Sequence, residues 1–234
     1  MKWRSLEESG PYSDLRPLRE QFAERKELIA KYVPAETQAT HARAVEEIRA
    51  SGIESRILPV GAMAPEFALP DQNGRQVSSA QLLAQGKLIV VFVRGRWCPF
   101  CCGQAEAMNF LLPHFREAGA NLVAISPQIV KQSYFMHDQH KLRFPLLSDA
   151  GNQVARQFGL VYRVPKYQEE LYRKVMVNLP FTNGDESWEL PIPATYVLDQ
   201  DGTVKFASAS ADYTERPEPV DVLKMVETGI NRNC

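Results

Sequence analysis

No stretch of the chain approaches the roughly 18 consecutive apolar residues that a membrane-spanning helix needs. The first twenty residues, MKWRSLEESGPYSDLRPLRE, carry charges where a secretory leader would place an apolar segment. Neither a span nor a leader is expected, and the default location is the cytosol. An excess of either charge is missing too: 27 Lys plus Arg face 28 Asp plus Glu, for a formal charge of -1. No basic stretch is interleaved with aromatic residues, so nucleic acid is not an expected partner. Cysteine is scarce, with four in 234 residues, yet three of them fall within five positions in RGRWCPFCCGQ, residues 94–104. That is not the framework of a disulfide-rich domain; in a reducing compartment it points to redox chemistry or to a metal. A second Cys-x-x-Cys is absent, and His137 and His140 read as residues of a solvated helix face. The four ligands of a structural zinc site are therefore not assembled, and no metal is expected. What is present is 44% hydrophobic residues, enough for one substantial core with an added arm.

The arm comes first. From Ser13 to about Val33, Leu15, Leu18, Phe22, Ile29 and Val33 recur at helical spacing among charges, and Pro34 closes that helix. A second helix runs from about Glu36 to Ala50, with Val45 and Ile48 on one side and Gly52 as its C-terminal cap. The apolar stripe serves either packing on the main domain or a partner, a second copy of the chain included. A boundary near Pro59 divides the chain into residues 1–57, the helical arm, and 58–234, the main domain.

Beyond it the pattern turns to short strands. EFALPDQNGRQV has a turn signal at Asn73-Gly74, and KLIVVFV (87–93) is continuous enough for a strand buried on both faces. A helix from the cysteines to about Ala118, the strand NLVAIS, a helix from about Gln128 to His140 and the strand FPLLS follow. This β-α-β-α-β order requires crossovers and a largely parallel sheet with helices on both faces. Residues 165–178 read as helical, and NLPFTNGDESWELP (178–191) reads as a polar surface insertion. ATYVLDQDGTVKFAS then supplies two strands joined at Asp201-Gly202, before a last helix from about Pro217 to Gly229. KLIVVFV is expected at the centre of the sheet, flanked by NLVAIS and ATYVLD, with the cysteines beyond its C-terminal end.

Cys98 and Cys101 lie three apart at a strand-to-helix junction, a spacing that puts both sulfurs on one turn, Cys98 near the N-cap and Cys101 in the first turn. Unpaired N–H groups and the helix dipole stabilise a thiolate there, and the thiolate is the attacking species in thiol-disulfide exchange. Pro99 suits the first helical position, where no N–H partner is needed. Helix position marks Cys98 as the more exposed and more acidic thiol. Cys102, rotated about 100° further round the helix, reads as a core residue. Cys234, the last residue, reads either as an unconstrained terminal thiol or as a resolving thiol between subunits.

Together, VGAMAPEFALPDQNGRQVS, VVFVRGRWCPFC, LVAISPQ and IPATYVLDQDGTV resemble the peroxiredoxin-like branch of the alkyl hydroperoxide reductase/thiol-specific antioxidant family, in the thioredoxin superfamily, over roughly residues 58 to 230. The resemblance implies an α/β thioredoxin-like fold: a mixed, mostly parallel sheet flanked by helices. Ile192-Pro193-Ala194-Thr195 resembles the cis-proline loop of such folds, which faces the active-site sulfurs. The family's peroxidatic motif is Pro-x-x-x-Thr-x-x-Cys, whose Thr, with a distant Arg, holds the peroxide oxygens. In the matching span Cys101 takes the cysteine's place, Cys98 the Thr's and Arg94 the Pro's, while Pro193 stands roughly where the distant Arg would be. Loss of those donors implies a slower peroxidase. Arg94 or Arg96 is either a replacement cation or a surface charge. Two frames assign opposite roles to the sulfurs, Cys101 attacking in the peroxiredoxin frame and Cys98 in the thioredoxin frame.

The expectation is a thiol oxidoreductase that reduces hydrogen peroxide or organic hydroperoxides through a Cys98/Cys101 dithiol/disulfide cycle, with Trp97, Pro99, Arg94, Ile192, Pro193 and Thr195 lining the substrate site. No bound cofactor is required, and an external dithiol such as a thioredoxin system resets the site. The alternatives are a protein disulfide reductase with little peroxidase activity, or a non-catalytic protein that interacts through its arm.

Overall fold

The computed structural model describes residues 16–228; Ser13, Leu15, Gly229 and Cys234, singled out above, lie outside the described residues. Helices α1 (Leu18–Tyr32) and α2 (Ala35–Ala50) meet at Pro34, and left-handed Gly52 (φ 71°) follows the second. The hairpin β1 (Ala68–Pro70) and β2 (Gln76–Ser78) and the short α3 (Ser79–Leu83) lead into β3 (Lys87–Phe92). Then come α4 (Pro99–Phe110), α5 (Leu112–Glu117), β4 (Ala120–Ser126), α6 (Val130–Gln139), β5 (Leu146–Ser148) and α7 (Gln153–Gln157). The chain continues through β6 (Val161–Arg163), α8 (Lys166–Lys174), α9 (Leu179–Asn183), β7 (Glu189–Pro191), β8 (Ala194–Leu198), β9 (Val204–Ala209) and α10 (Pro219–Glu227).

The central sheet has the order β5-β4-β3-β8-β9. Strands β3, β4 and β5 are parallel, while β8 runs antiparallel to both β3 and β9. KLIVVFV is thus the middle strand with the expected neighbours. Its side chains alternate: Ile89, Val91 and Val93 enter one apolar core with α1, α4, α5 and α10, whereas Leu88, Val90 and Phe92 enter a second core on the other face. That two-sided burial is why the run shows no polar alternation.

The single helix expected from the cysteines to Ala118 is broken into α4 and α5. Pro113 has no N–H for the ladder and its ring obstructs the carbonyl four residues back; the Asn109 carbonyl accepts instead from Arg143 Nη2 at 2.7 Å. Residues 178–191 are not a surface insertion. They hold α9 and β7, the latter paired with β6, and bury Leu179, Trp188 and Leu190 with Val164 and Tyr172 in a third core against which Trp97 packs. Helix α6 is less solvated than expected: His140 Nδ1 lies 2.9 Å from Glu106 Oε1 with both side chains largely covered.

The arm lies on the cysteine helix. Leu18 and Phe22 are buried in the same core as the cysteines, and the Phe22 and Phe100 rings meet edge to face at 5.0 Å. Arg25 Nη1 donates to the Pro99 carbonyl at 2.8 Å, and Glu218 accepts from the backbone of Leu18 and Arg19 at the N-terminus of α1.

Candidate active site

The end of β3 delivers the chain into residues 93–98. Gly95 adopts φ 143°, and a Cβ there would stand 2.7 Å from Trp97 Nε1 and 3.1 Å from Gln128 Oε1, so only glycine fits. Gln128, just past β4, accepts from Arg96 N at 2.8 Å and ties the two loops together. Cys98 is the N-cap of α4 and Pro99 its first residue, as expected; the Cys98 carbonyl accepts from Cys101 N (3.0 Å) and Cys102 N (3.1 Å). Cys98, Cys101 and Cys102 are all free thiols.

Cys98 and Cys101 are both wholly buried, against the expectation that Cys98 is exposed. The reason lies in neighbours remote in sequence. Arg94, itself buried, directs Nη2 to Cys98 Sγ at 3.4 Å, while its backbone N–H donates to Cys101 Sγ at 3.4 Å. Its guanidinium is stacked between Tyr213 (3.9 Å to the ring centroid) and Trp97 (4.9 Å), and Trp97 packs on Tyr172 at 5.3 Å. Arg216 Nη2 reaches Cys101 Sγ at 3.6 Å. His41, from α2, stands 6.0 Å from Tyr172 and 6.1 Å from Tyr213 between ring centroids.

Burial pushes the Cys98 thiol up, but the hydrogen bond from Cys101 and the charges of Arg94 and Arg216 outweigh it and hold Cys98 well below the ordinary thiol range. Cys101 is held well above that range, first by burial and then by its hydrogen bond to Cys98 and the charge there. Burial also raises Cys102, whose S–H donates to the Arg96 carbonyl at 3.3 Å. The surroundings therefore favour the thiolate at Cys98 and the thiol at Cys101. Around it Arg94 Nε, Arg216 Nε, Trp97 Nε1 and Tyr172 Oη are buried with no hydrogen-bond partner. Three of these groups are donors only and the fourth can donate, a set suited to an oxyanion. No group of three or more His, Cys, Asp or Glu arranged to hold a metal occurs among the described residues.

The model of the AhpC/TSA family matches residues 60–207. The chain belongs to the AhpC/TSA family. A chloroplastic peroxiredoxin Q of Oryza sativa subsp. japonica is 32% identical over 146 residues, 62% of this chain and 57% of the rice protein. The chain thus spans little more than half the length of that relative. A putative peroxiredoxin of Mycobacterium tuberculosis is 31% identical over 160 residues, 68% of this chain and 90% of that one. Among solved structures, peroxidoxin BcpB from Mycobacterium tuberculosis superposes with a TM-score of 0.58 at 24% identity, covering 74% of this chain and 99% of that one. A mutant of Xylella fastidiosa PrxQ gives 0.59 at 15% identity, covering 73% and 96%. The fold is thioredoxin-like, as expected.

Pro193 stands roughly where the AhpC/TSA pattern has its distant Arg, and a guanidinium besides that of Arg94 reaches the cysteines from Arg216. Arg216 lies in the loop after β9, which runs parallel to β3 and so returns to the cysteine end of the sheet. Arg94 is a site cation; Arg96 turns away, its Nε bonded to Gln132 Oε1 at 2.9 Å. Pro193 precedes Ala194, which pairs with Phe92, so its loop does border the cysteine end. The expected cis bond is absent: no cis peptide occurs among the described residues. Pro193 is simply a buried, trans entry to β8, whose neighbour Ile192 donates its N–H to the Leu160 carbonyl at 2.8 Å. The Ile192 side chain belongs to the core on the opposite face of the sheet. Thr195 is buried in β8 and accepts from Gln104 Nε2 at 3.0 Å, one turn beyond Cys101. Residues 16–228 include no helix long and apolar enough to cross a membrane.

Proposed function

We propose that this chain is a thiol peroxidase that reduces hydrogen peroxide or organic hydroperoxides with Cys98 and Cys101. The observation that carries the reading is the placing of both sulfurs on one turn among guanidinium groups, Cys98 Sγ 3.4 Å from Arg94 Nη2 and Cys101 Sγ 3.4 Å from the Arg94 N–H and 3.6 Å from Arg216 Nη2. The Cys98 thiolate attacks a peroxide oxygen; the S–O bond forms as the O–O bond breaks. The leaving alkoxide or hydroxide takes the Cys101 proton. The Cys101 thiolate then attacks the sulfenic sulfur, the S–S bond forms, and the departing hydroxide takes a proton from solvent to leave as water. An external dithiol of the thioredoxin type returns two electrons and two protons. The unpartnered donors Arg94 Nε, Arg216 Nε, Trp97 Nε1 and Tyr172 Oη meet the negative oxygen that develops as the O–O bond opens.

A second order of attack has its own support: Cys101 Sγ receives the Arg94 N–H and Arg216 Nη2, donors that would serve a thiolate there. A general protein disulfide reductase is disfavoured because both sulfurs are buried beyond reach of a bulky disulfide. We keep the cytosol as the compartment, on the scarcity and clustering of cysteine, three of the four lying within residues 98–102. Residues 1–57 are kept as an arm, on the family match beginning only at residue 60.

Peroxide consumption with a thioredoxin system tests the activity; turnover no faster than that of free cysteine rejects it. Mass spectrometry after brief, substoichiometric peroxide decides the order. Cys101→Ser should accumulate a sulfenic acid at Cys98 and Cys98→Ser should be inert; the reverse pattern transfers attack to Cys101.

A further inference from the structure

The two arm helices, with Phe100 and residues 212–214, line an open cleft of about 400 Å³ that the peroxidase chemistry itself does not use. Its walls include Ile29 and Val33 of α1 and Ala42 and Val45 of α2; its floor is His41, Phe100 and Tyr213. Phe100 lies between the two cysteines in sequence, and its ring is 5.8 Å from that of Tyr213. Tyr213 also stacks at 3.9 Å on the Arg94 guanidinium, whose Nη2 is 3.4 Å from Cys98 Sγ. One ring and one guanidinium thus lie between the cleft and a wholly buried sulfur.

The lining chemistry narrows the occupant. Glu46 is paired with Arg49 at 2.6 Å, and Asp212 accepts from the N–H (2.9 Å) and hydroxyl (2.7 Å) of Thr214, so these rim charges are already engaged. Lys26 and Gln38 also line the cleft, Gln38 with its amide N–H donating to the Val33 carbonyl at 2.7 Å. The rest of the surface is mostly aliphatic and aromatic, and the volume is that of a small-molecule pocket. Hydrogen peroxide has no apolar body to place there.

We infer that the arm cleft binds the apolar body of a neutral organic hydroperoxide, with an aryl or branched alkyl group, and presents its peroxide end past Tyr213 to Cys98. The inference rests on the peroxidase reading and assigns substrate preference to a cleft built mostly from residues outside the family match.

Filling the cleft tests it. In the full chain, Ala42→Trp should lower kcat/KM for cumene hydroperoxide at least tenfold relative to kcat/KM for hydrogen peroxide, mainly through KM. Val45→Phe is the second variant should the first lose its native circular dichroism. Binding of cumyl alcohol, followed by ligand-detected NMR, gives a readout independent of turnover and should weaken at least tenfold in the same variants. A peroxide ratio unmoved within twofold in a well-folded variant overturns the cleft while leaving the peroxidase reading intact. Absence of turnover with either peroxide overturns that reading, and cumyl alcohol binding then decides the cleft alone: displacement by the filling residue upholds it as an apolar ligand site, and no effect rejects it.

Discussion

His41 shows how far a single side chain can carry the arm into the site. Gln168 Nε2 lies 3.3 Å from its Nδ1, the rings of Tyr172 and Tyr213 flank it, and Arg94 and Cys98 are the charges it feels. Burial first, then the Arg94 charge, lower its pKa from 6.5 to about 4, against an opposing pull from Cys98. The unfolded chain therefore binds this proton more tightly than the folded one. Stability from the neutral imidazole is whole above pH 6.5 and is lost as pH falls toward 4, about 3 kcal/mol across that window. Urea titrations between pH 4 and 7 should show His41→Gln losing most of that pH dependence; an unchanged slope would place the acid sensitivity elsewhere. Arg216 is the residue that sequence reasoning missed most consequentially. The signal was available, since a final strand parallel to KLIVVFV must return its following loop to the cysteine end, but that direction is visible only once the strand order is known.

At the scale of elements, α1 and α4 fit through a glycine. A Cβ on Gly103 would stand 2.9 Å from Phe22 Cε1, so the closeness of the two helices depends on its absence. Gly103→Val should lift α1 from α4 and forfeit the burial of Phe22, which is worth about 1.5–3 kcal/mol. Limited proteolysis should then cut within residues 18–50 before the sheet is attacked, and resistance equal to the parent's would refute the fit. The helices of the arm, the β-α-β-α-β run and the closing strand pair were all legible, because each carries one dominant period or one turn signal. Residues 178–191 were not. Their polar side chains hide Leu179, Trp188 and Leu190, three residues that acquire a core only when Tyr172 and Val164 are brought to them. Pro113 ends a helix that the apolar spacing alone would continue. The Cys98 turn was read correctly in its backbone and wrongly in its exposure. Capping follows from local sequence, whereas burial depends on Arg94, Trp97, Tyr213 and the arm meeting over it.

For the molecule as a whole, loops after β3, β4 and β9 and before β8 converge on one end of the sheet, and the arm covers that end from outside. Removing residues 1–57 should expose Phe100 and the core around Leu18 and Phe22, lowering solubility and speeding attack by bulky thiol reagents relative to small ones. Equal reagent discrimination in a truncated chain of native circular dichroism would show that the seal lies wholly within the main domain. The seal also sets a clock. With both sulfurs wholly buried, each encounter waits for a fluctuation that opens the cover. Under the proposed peroxidase function, the rate should rise with concentration at low peroxide and level off at high peroxide at the opening frequency, a ceiling that belongs to the motion of the protein and is the same for any oxidant small enough to enter through the same opening.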